Sequence, residues 1–279
     1  MNNKLALRTI MLAIALTAIS VTARPDTLSA RMQNNDRGRA SNRYATGART
    51  AIVTQNPKMN EMIAEANTAA GAKNWKQAIE LLERLIVMDP TRWDFYASLS
   101  FAQMSLGRYQ DAIDSAEKGV AAAEADKGIE SNVSKIKTAI GQMLTTEGNA
   151  YNKLGKSKEA AVAFSKAAEV GANRGLAYFN LCVSLFNMGD TKGAQSACDK
   201  AIAVDPAKAE AYFIKGSILI GNSTTNAKGE LVPPPGTIES LKKYLELSPK
   251  GDHVGDARDL LKALGVATAG SATVATKKP

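Results

Sequence analysis

A recurrence in the middle of the chain limits the folds that it can adopt. The segments SLGRYQDAIDSAEKG (105–119), KLGKSKEAAVAFSKA (153–167) and NMGDTKGAQSACDKA (187–201) align with a glycine at the third position and an alanine five residues later. GAKNWKQAIELLERL (71–85) aligns with them and has Lys73 in place of the glycine. Two of the three steps between these positions are 34 residues long, and a fixed period of this size indicates a stacked repeat architecture.

Helix-like apolar runs lie on both sides of each glycine, and with the 34-residue period they resemble the tetratricopeptide repeat family. The resemblance implies an all-α fold, a right-handed α-solenoid of stacked helix-turn-helix hairpins. It favours a function in binding other proteins. An unrelated helical bundle remains an alternative, although a bundle does not require a constant repeat length.

The small residues that the family places where two helices cross are present in this sequence. In the first helices they are Ala66, Ser100, Gly148, Cys182 and Gly216, and in the second helices Ala78, Ala112, Ala160 and Ala194. Small side chains let two helix backbones approach, so that the ridges of one helix enter the grooves of the other. Repeats end in Asp89-Pro90 and Asp205-Pro206, where proline cannot continue the preceding helix.

The resemblance predicts a solenoid over residues 59–264, with about five repeats and insertions near 121–140 and 221–235. The first insertion predicts a long third-repeat helix from near Ser131 to about Leu154. After the second insertion, three prolines precede TIESLKKYLELSP, and proline is tolerated at a helix start. A last amphipathic helix, Asp252 to Leu264, is predicted to cap the apolar end of the stack, because repeat arrays need such caps for solubility. Residues 265–279 are predicted to be a disordered tail.

The first 23 residues predict an export signal. Lys4 and Arg8 precede an apolar run from Thr9 to Val21, and small residues follow at the position where a signal peptidase cleaves, after Ala23. The apolar run is shorter than the ~20 residues that span a membrane, so no transmembrane segment is expected in the mature chain. An uncleaved N-terminal anchor is the alternative. Export predicts a periplasmic or secreted bacterial protein.

Positive charge is concentrated near the N-terminus. The formal net charge is +8, yet residues 59–264 contain 24 basic and 25 acidic residues, whereas residues 24–58 contain seven basic and two acidic ones. The segment 24–58 lacks an apolar period and predicts a flexible arm. The arm contains six arginines that could contact an anionic surface: Arg24, Arg31, Arg37, Arg39, Arg43 and Arg49. The alternative is that the arm is a solvated tether. Aromatic residues are not interleaved with them, so no specific nucleic acid partner is predicted.

The sequence contains few residues or motifs that could carry out catalysis. The single histidine, His253, precedes the last helix, and a lone histidine is more often a bystander than a general base. There is no glycine-rich phosphate loop and no spacing typical of metal ligands. We therefore predict no enzyme activity, no cofactor and no metal.

Cys182 and Cys198 are the only cysteines. The resemblance places them on the first and second helices of the fourth repeat, facing each other inside the hairpin. In an oxidising compartment a disulfide between them is plausible. The alternative is that both are buried free thiols that act as small apolar side chains.

Binding is expected in the concave groove that the first helices of such a stack line. The resemblance places these ten residues there: Phe101, Met104, Asn149, Asn152, Lys153, Leu176, Phe179, Val183, Phe186 and Phe213. The section around Phe179, Val183 and Phe186 predicts a slot for an apolar side chain or an amphipathic helix of a partner. The alternative is that the chain itself covers this section. The predicted function is a scaffold for protein–protein interaction in the periplasm or cell envelope, and the alternative is a polyanion-binding or surface-binding protein that acts through its arginine-rich arm.

Overall fold

The computed structural model describes residues 56–126, 133–171 and 173–266. These residues form eleven α-helices and one short β-hairpin. The helices are α1 (Pro57–Gly71), α2 (Trp75–Met88), α3 (Trp93–Ser105), α4 (Tyr109–Ala125), α5 (Val133–Lys153), α6 (Ser157–Val170), α7 (Arg174–Asn187), α8 (Thr191–Val204), α9 (Ala209–Gly221), α10 (Thr237–Leu247) and α11 (Val254–Ala263). The strands are β1 (Thr224–Thr225) and β2 (Leu231–Val232), which pair antiparallel between α9 and α10.

The helices stack in chain order. Each helix packs on the next one along the chain, and first helices of neighbouring repeats also touch, as α3 and α5 do and α7 and α9 do. The chain therefore adopts the predicted all-α solenoid, in which five hairpins follow one another within the described residues. The last helix, α11, packs on α10 with Leu260 and Leu261 fully buried, which confirms the predicted capping helix.

Small residues at the helix crossings hold the two helices of a repeat close together. Ala78, Ala112, Ala160 and Ala194 are fully buried. A Cβ atom placed on Gly148 of α5 would lie 2.7 Å from Cε1 of Phe164 on α6. One on Gly216 of α9 would lie 2.8 Å from the Leu241 side chain on α10. These contacts are closer than any Cβ tolerates, which explains why the sequence has glycine there.

We expect Gly148→Ala to destabilise the protein. Overpacking typically costs about 1–3 kcal/mol, whereas alanine gains about 1 kcal/mol over glycine inside a helix, so a net loss of about 1 kcal/mol is expected. Urea denaturation monitored by circular dichroism would measure it. The matched control is Gly255→Ala on α11, where no atom lies within 4 Å of the added Cβ. This control should be neutral or stabilising, and equal behaviour of the two variants would show that the α5–α6 crossing is not tight.

Left-handed backbone at the turn between the two helices explains the aligned glycines. Gly107, Gly155 and Gly189 have φ values of +82°, +73° and +79°, which glycine adopts without a steric penalty. Lys73 stands in the same position of the first repeat with φ 58°, and it is the one non-glycine residue with positive φ in the described ranges. The first repeat thus keeps the turn geometry despite its departure from the sequence pattern.

The insertions have different structures. At the first, α4 ends at Ala125 and α5 begins at Val133, within two residues of the predicted start at Ser131, while 127–132 lie outside the described residues. At the second, where the sequence indicated an insertion near 221–235, the structure contains the β1–β2 hairpin. Asn226 organises its turn, because its Oδ1 accepts hydrogen bonds from the backbone N–H groups of Lys228 and Glu230, each at 2.9 Å. Three of the four strand residues are exposed, Leu231 is half-buried, and the strands lie outside the apolar core clusters, so the fold class is unchanged.

The predictions for the signal 1–23, for most of the arm 24–58 and for nearly all of the tail 265–279 lie outside the described residues. Among the helices that the structure describes, none combines the length and the hydropathy needed to cross a bilayer.

Candidate binding groove

The structure separates the ten predicted groove residues into two groups. Seven are half-buried on first helices, so part of each side chain is accessible: Phe101, Met104, Asn149, Asn152, Lys153, Leu176 and Phe186. Phe179, Val183 and Phe213 are 6%, 8% and 1% exposed and belong to the apolar core of the C-terminal repeats. The apolar slot expected around Phe179 and Val183 is thus covered by the chain itself.

Phe213 is covered by the segment that leads into the capping helix. The imidazole of His253 stacks on the Phe213 ring with a centroid distance of 4.3 Å, and the Tyr244 ring lies 5.2 Å away. The His253 backbone N–H donates a hydrogen bond of 2.9 Å to the Tyr244 hydroxyl, which fixes the segment. Phe213 therefore closes the end of the stack and does not line an open groove.

Phe179 is covered by a charged side chain from the next repeat. The Lys208 Nζ lies 4.8 Å from the centre of the Phe179 ring, within range of a cation–π interaction. The same Nζ lies 3.7 Å from the Glu210 carboxylate. Of the apolar residues on α7 that were predicted to line the groove, Leu176 and Phe186 remain half-buried, and both pack at the edge of the core.

The polar section of the groove lies on α5. The Asn152 Nδ2 donates a hydrogen bond of 3.1 Å to Ser184 Oγ on α7, so Asn152 joins the third repeat to the fourth. Asn149, one turn earlier, makes no side-chain hydrogen bond within the described part of the chain. Its amide is therefore available to a ligand, with one acceptor and two donor hydrogens.

Asn180 belongs to the same surface, and the sequence analysis missed it. It is half-buried on α7 four residues after Leu176, so both residues lie on one face of the helix. Its side chain makes no hydrogen bond to any residue that the structure describes. The signal that could have found it is this i, i+4 spacing from a predicted groove residue.

The N-terminal end of the groove is aromatic. The rings of Phe101 on α3 and Trp75 on α2 meet edge to face with centroids 5.7 Å apart. Met104 packs against the small core cluster of Ala112, Ile113 and Ala150. Phe101 and Met104 thus contribute to packing as well as to the accessible surface.

One carboxyl on α5 has unusual electrostatics. Burial, followed by the charge of Glu117 on α4, raises the pKa of Glu147 to about 7, while Lys166 on α6 acts in the opposite direction. Burial and the carboxylates Glu147, Glu117 and Glu159 raise the pKa of Tyr151, one turn along α5 from Glu147.

Cys182 on α7 and Cys198 on α8 form a disulfide with an S–S distance of 2.03 Å and a Cα–Cα distance of 5.2 Å. The bond lies inside the fourth hairpin, and both residues are fully buried. It covalently fixes the helix that carries Leu176, Asn180 and Phe186 to its partner helix.

His253 has a packing role. Its Nδ1 lies 3.1 Å from the Asp256 carboxylate, and its ring is stacked on Phe213.

An open depression of about 560 Å³ lies on α8, lined by Lys192, Gln195, Ser196, Asp199, Lys200 and Ala203. Its residues all come from a second helix, whereas first helices line the groove.

The stack of five helical hairpins in chain order defines an α-solenoid. A family model described as tetratricopeptide repeat matches residues 63–127. The match spans most of the first two hairpins, and the fold of the described residues is that of solved tetratricopeptide repeat structures.

Solved structures of such proteins have a similar fold. YrrB, described as a tetratricopeptide repeat protein with an unusual peptide-binding site, is 20% identical, and the match covers 80% of this chain and all of YrrB with a TM-score of 0.54. MamA from Desulfovibrio magneticus is 14% identical over 71% of this chain and 99% of its own, with a TM-score of 0.55. A tetratricopeptide repeat protein from Parabacteroides merdae is 14% identical over 75% of each chain, with a TM-score of 0.55. At these identities the likeness concerns the fold alone, and no curated protein matches the chain in sequence.

Proposed function

We propose that the protein is a non-enzymatic scaffold of the periplasm or cell envelope that binds an extended segment of another protein in its groove. The observation that carries the proposal is the half-buried Asn149, whose amide makes no hydrogen bond within the described residues although the neighbouring Asn152 is tied to Ser184. The solenoid fold and the description of YrrB as peptide-binding support it. Export is supported by the N-terminal sequence pattern.

The chemistry of the groove suits an extended peptide. An asparagine amide offers both a donor and an acceptor, which match the C=O and N–H groups of a peptide main chain. Asn149 on α5 and Asn180 on α7 are well placed for such contacts, because they lie on neighbouring first helices of the stack. Leu176 and Phe186 offer apolar contact for a side chain of the same segment.

Loss of the two amides should weaken binding of a partner isolated from the native envelope. We expect the double variant Asn149→Ala and Asn180→Ala to reduce affinity about 30-fold, because each lost hydrogen bond contributes roughly 1 kcal/mol. Isothermal titration calorimetry with the purified partner would measure this. Gln195→Ala on α8 is the matched control, since it removes a half-buried amide from outside the groove. Equal affinities of both variants and the wild type would contradict the proposal.

The same titration, repeated at several salt concentrations, distinguishes groove binding from the second candidate function. In that candidate the protein binds an anionic surface through its arm. The observation that favours this candidate is the excess of basic over acidic residues in 24–58 beside a nearly neutral body. Binding by the arm would weaken steeply as salt is raised, whereas binding in the groove would change little. A steep salt dependence that disappears when residues 24–55 are deleted would favour the arm.

A further inference from the structure

The stack of hairpins has two different edges. Short connections make neighbouring helices antiparallel, so the turns inside the hairpins lie along one edge and the connections between hairpins lie along the other. We call the first the turn edge. It consists of the β1–β2 hairpin and four short turns, each with the residue that precedes it: 73–76, 107–110, 155–158 and 189–192.

The turn edge is basic. Its four short turns contain one acidic residue, Asp190, and six basic residues, all of them exposed: Lys73, Lys76, Arg108, Lys156, Lys158 and Lys192. The Asp190 carboxylate accepts a hydrogen bond of 2.9 Å from the backbone N–H of Gly193. Arg108 pairs with Asp111, whereas the five lysines form no ion pair within the described ranges. Extending each turn by one residue adds only two charged residues, Asp111 and Glu159, and leaves the edge basic.

The opposite edge is close to neutral. Its two Asp-Pro connections, 89–92 and 205–208, each contain one acidic and one basic residue. Both bases form ion pairs. The Arg92 guanidinium lies 2.6 Å from the Asp94 carboxylate, and the Lys208 Nζ lies 3.7 Å from the Glu210 carboxylate. The two edges therefore differ in charge although the same helices connect them.

Apolar side chains project between the charges of the turn edge. Leu106, Leu154 and Met188 each directly precede a turn glycine, and they are 38%, 40% and 38% exposed. Val232, in the β1–β2 hairpin that forms the turn of the fifth repeat, is 47% exposed. The opposite edge also exposes apolar side chains, so the combination with positive charge distinguishes the turn edge: Val87, Met88 and Val204.

We propose that the turn edge docks the folded body on an anionic phospholipid membrane. Charge complementarity selects this occupant, because lysine and arginine are attracted to anionic headgroups. The apolar side chains between them enter the boundary between headgroups and acyl chains, so the body lies on the membrane and does not cross it. This contact goes beyond binding in the groove, and it uses folded turns instead of the arm.

Co-sedimentation with vesicles of equal parts phosphatidylglycerol and phosphatidylcholine tests the proposal. The protein is residues 24–279, which include every described residue and leave out the apolar run 9–21 that would itself enter lipid. The wild type should bind these vesicles and should not bind vesicles of phosphatidylcholine alone. The triple variant Lys73→Gln, Lys156→Gln and Lys158→Gln should bind roughly 100-fold more weakly, because each basic residue at an anionic membrane contributes about fivefold.

The control for this variant makes the same change of charge elsewhere. It is the triple variant Lys118→Gln, Lys166→Gln and Lys200→Gln, in which each lysine is exposed and lies eleven residues after a turn glycine. Eleven residues of helix measure about 16 Å, which exceeds the Debye length of about 10 Å at 0.1 M salt. The affinity of the control should therefore stay within about twofold of the wild type.

The apolar side chains are tested in the same way. The triple variant Leu106→Ala, Leu154→Ala and Met188→Ala should weaken vesicle binding about tenfold, because less apolar surface enters the membrane. The matched control truncates the exposed apolar residues of the opposite edge and should leave binding unchanged: Val87→Ala, Met88→Ala and Val204→Ala.

The two tryptophans of the chain test the orientation without any change to the charges of the turn edge. Trp75 begins α2 at the turn edge, Trp93 begins α3 at the opposite edge, and both are half-buried. The 13 residues of α3 separate the edges by about 20 Å. Vesicles that contain brominated phosphatidylglycerol should quench the fluorescence of Trp75 in the variant Trp93→Phe. They should not quench that of Trp93 in the variant Trp75→Phe.

Three results would overturn the proposal. Equal affinities of the wild type and the turn-edge lysine variant would mean that the arm, and not the turn edge, contacts the lipid. Equal quenching of both tryptophans would contradict docking by one edge. Binding of the soluble polyanion heparin without binding of vesicles would assign the basic edge to a partner other than a membrane.

Discussion

Replacing Phe164 with alanine should cost about 3–5 kcal/mol of the free energy of unfolding, the range typical of a fully buried phenylalanine. The side chain is completely inaccessible to solvent, and its ring lies over Gly148 at the crossing of α5 and α6. Gly148, which has no side chain, cannot fill the cavity that removal of the ring would leave. Urea denaturation of the wild type and the variant would measure the loss from the shift of the midpoint.

Val162→Ala is the control for this experiment. Val162 lies on the same helix two residues earlier and is 56% exposed, so its truncation should change stability by less than about 0.5 kcal/mol. A loss of less than 1 kcal/mol for Phe164→Ala would mean that the crossing is loosely packed.

Removing the disulfide should cost about 3 kcal/mol. The bond closes a loop with a sequence separation of 16 residues, and a loop of about 15 residues contributes roughly 3 kcal/mol by restricting the unfolded chain. The double variant Cys182→Ala and Cys198→Ala should therefore unfold at a much lower urea concentration than the oxidised wild type.

Reducing agent provides the control for the disulfide. It should destabilise the wild type and leave the double variant unchanged, because the variant has no bond to break. A thiol count on denatured, unreduced protein should find no free thiol. Two free thiols, or a wild type that is insensitive to reductant, would show that the cysteines are buried and unpaired.

Much of the fold could be predicted from the sequence because residues within each repeat determine the geometry of its turn and its helix crossing. Glycine at positions 107, 155 and 189 is required by the left-handed turn. Small residues such as Gly148 are required where helices cross, and these requirements recur with the repeat length. Local constraints repeated at a fixed interval are readable without knowledge of long-range contacts.

The state of the groove could not be predicted in the same way, because it depends on contacts between distant segments. Phe213 is buried by His253, which lies forty residues later and outside any repeat pattern. Phe179 is covered by Lys208 from the next repeat, and Asn152 is bound by Ser184. The β1–β2 hairpin was missed because strands of two residues have no detectable periodicity.

That hairpin also shows how much freedom the connection between α9 and α10 has. The connection occupies residues 222–236, yet Gly216 and Leu241 still meet at the crossing of the two helices. Lys228 at its tip is exposed, so a fluorophore, an epitope or a tether to a sensor surface attached there would project away from the helices. The connection is thus a natural attachment point for following the protein in cells or immobilising it in a fixed orientation.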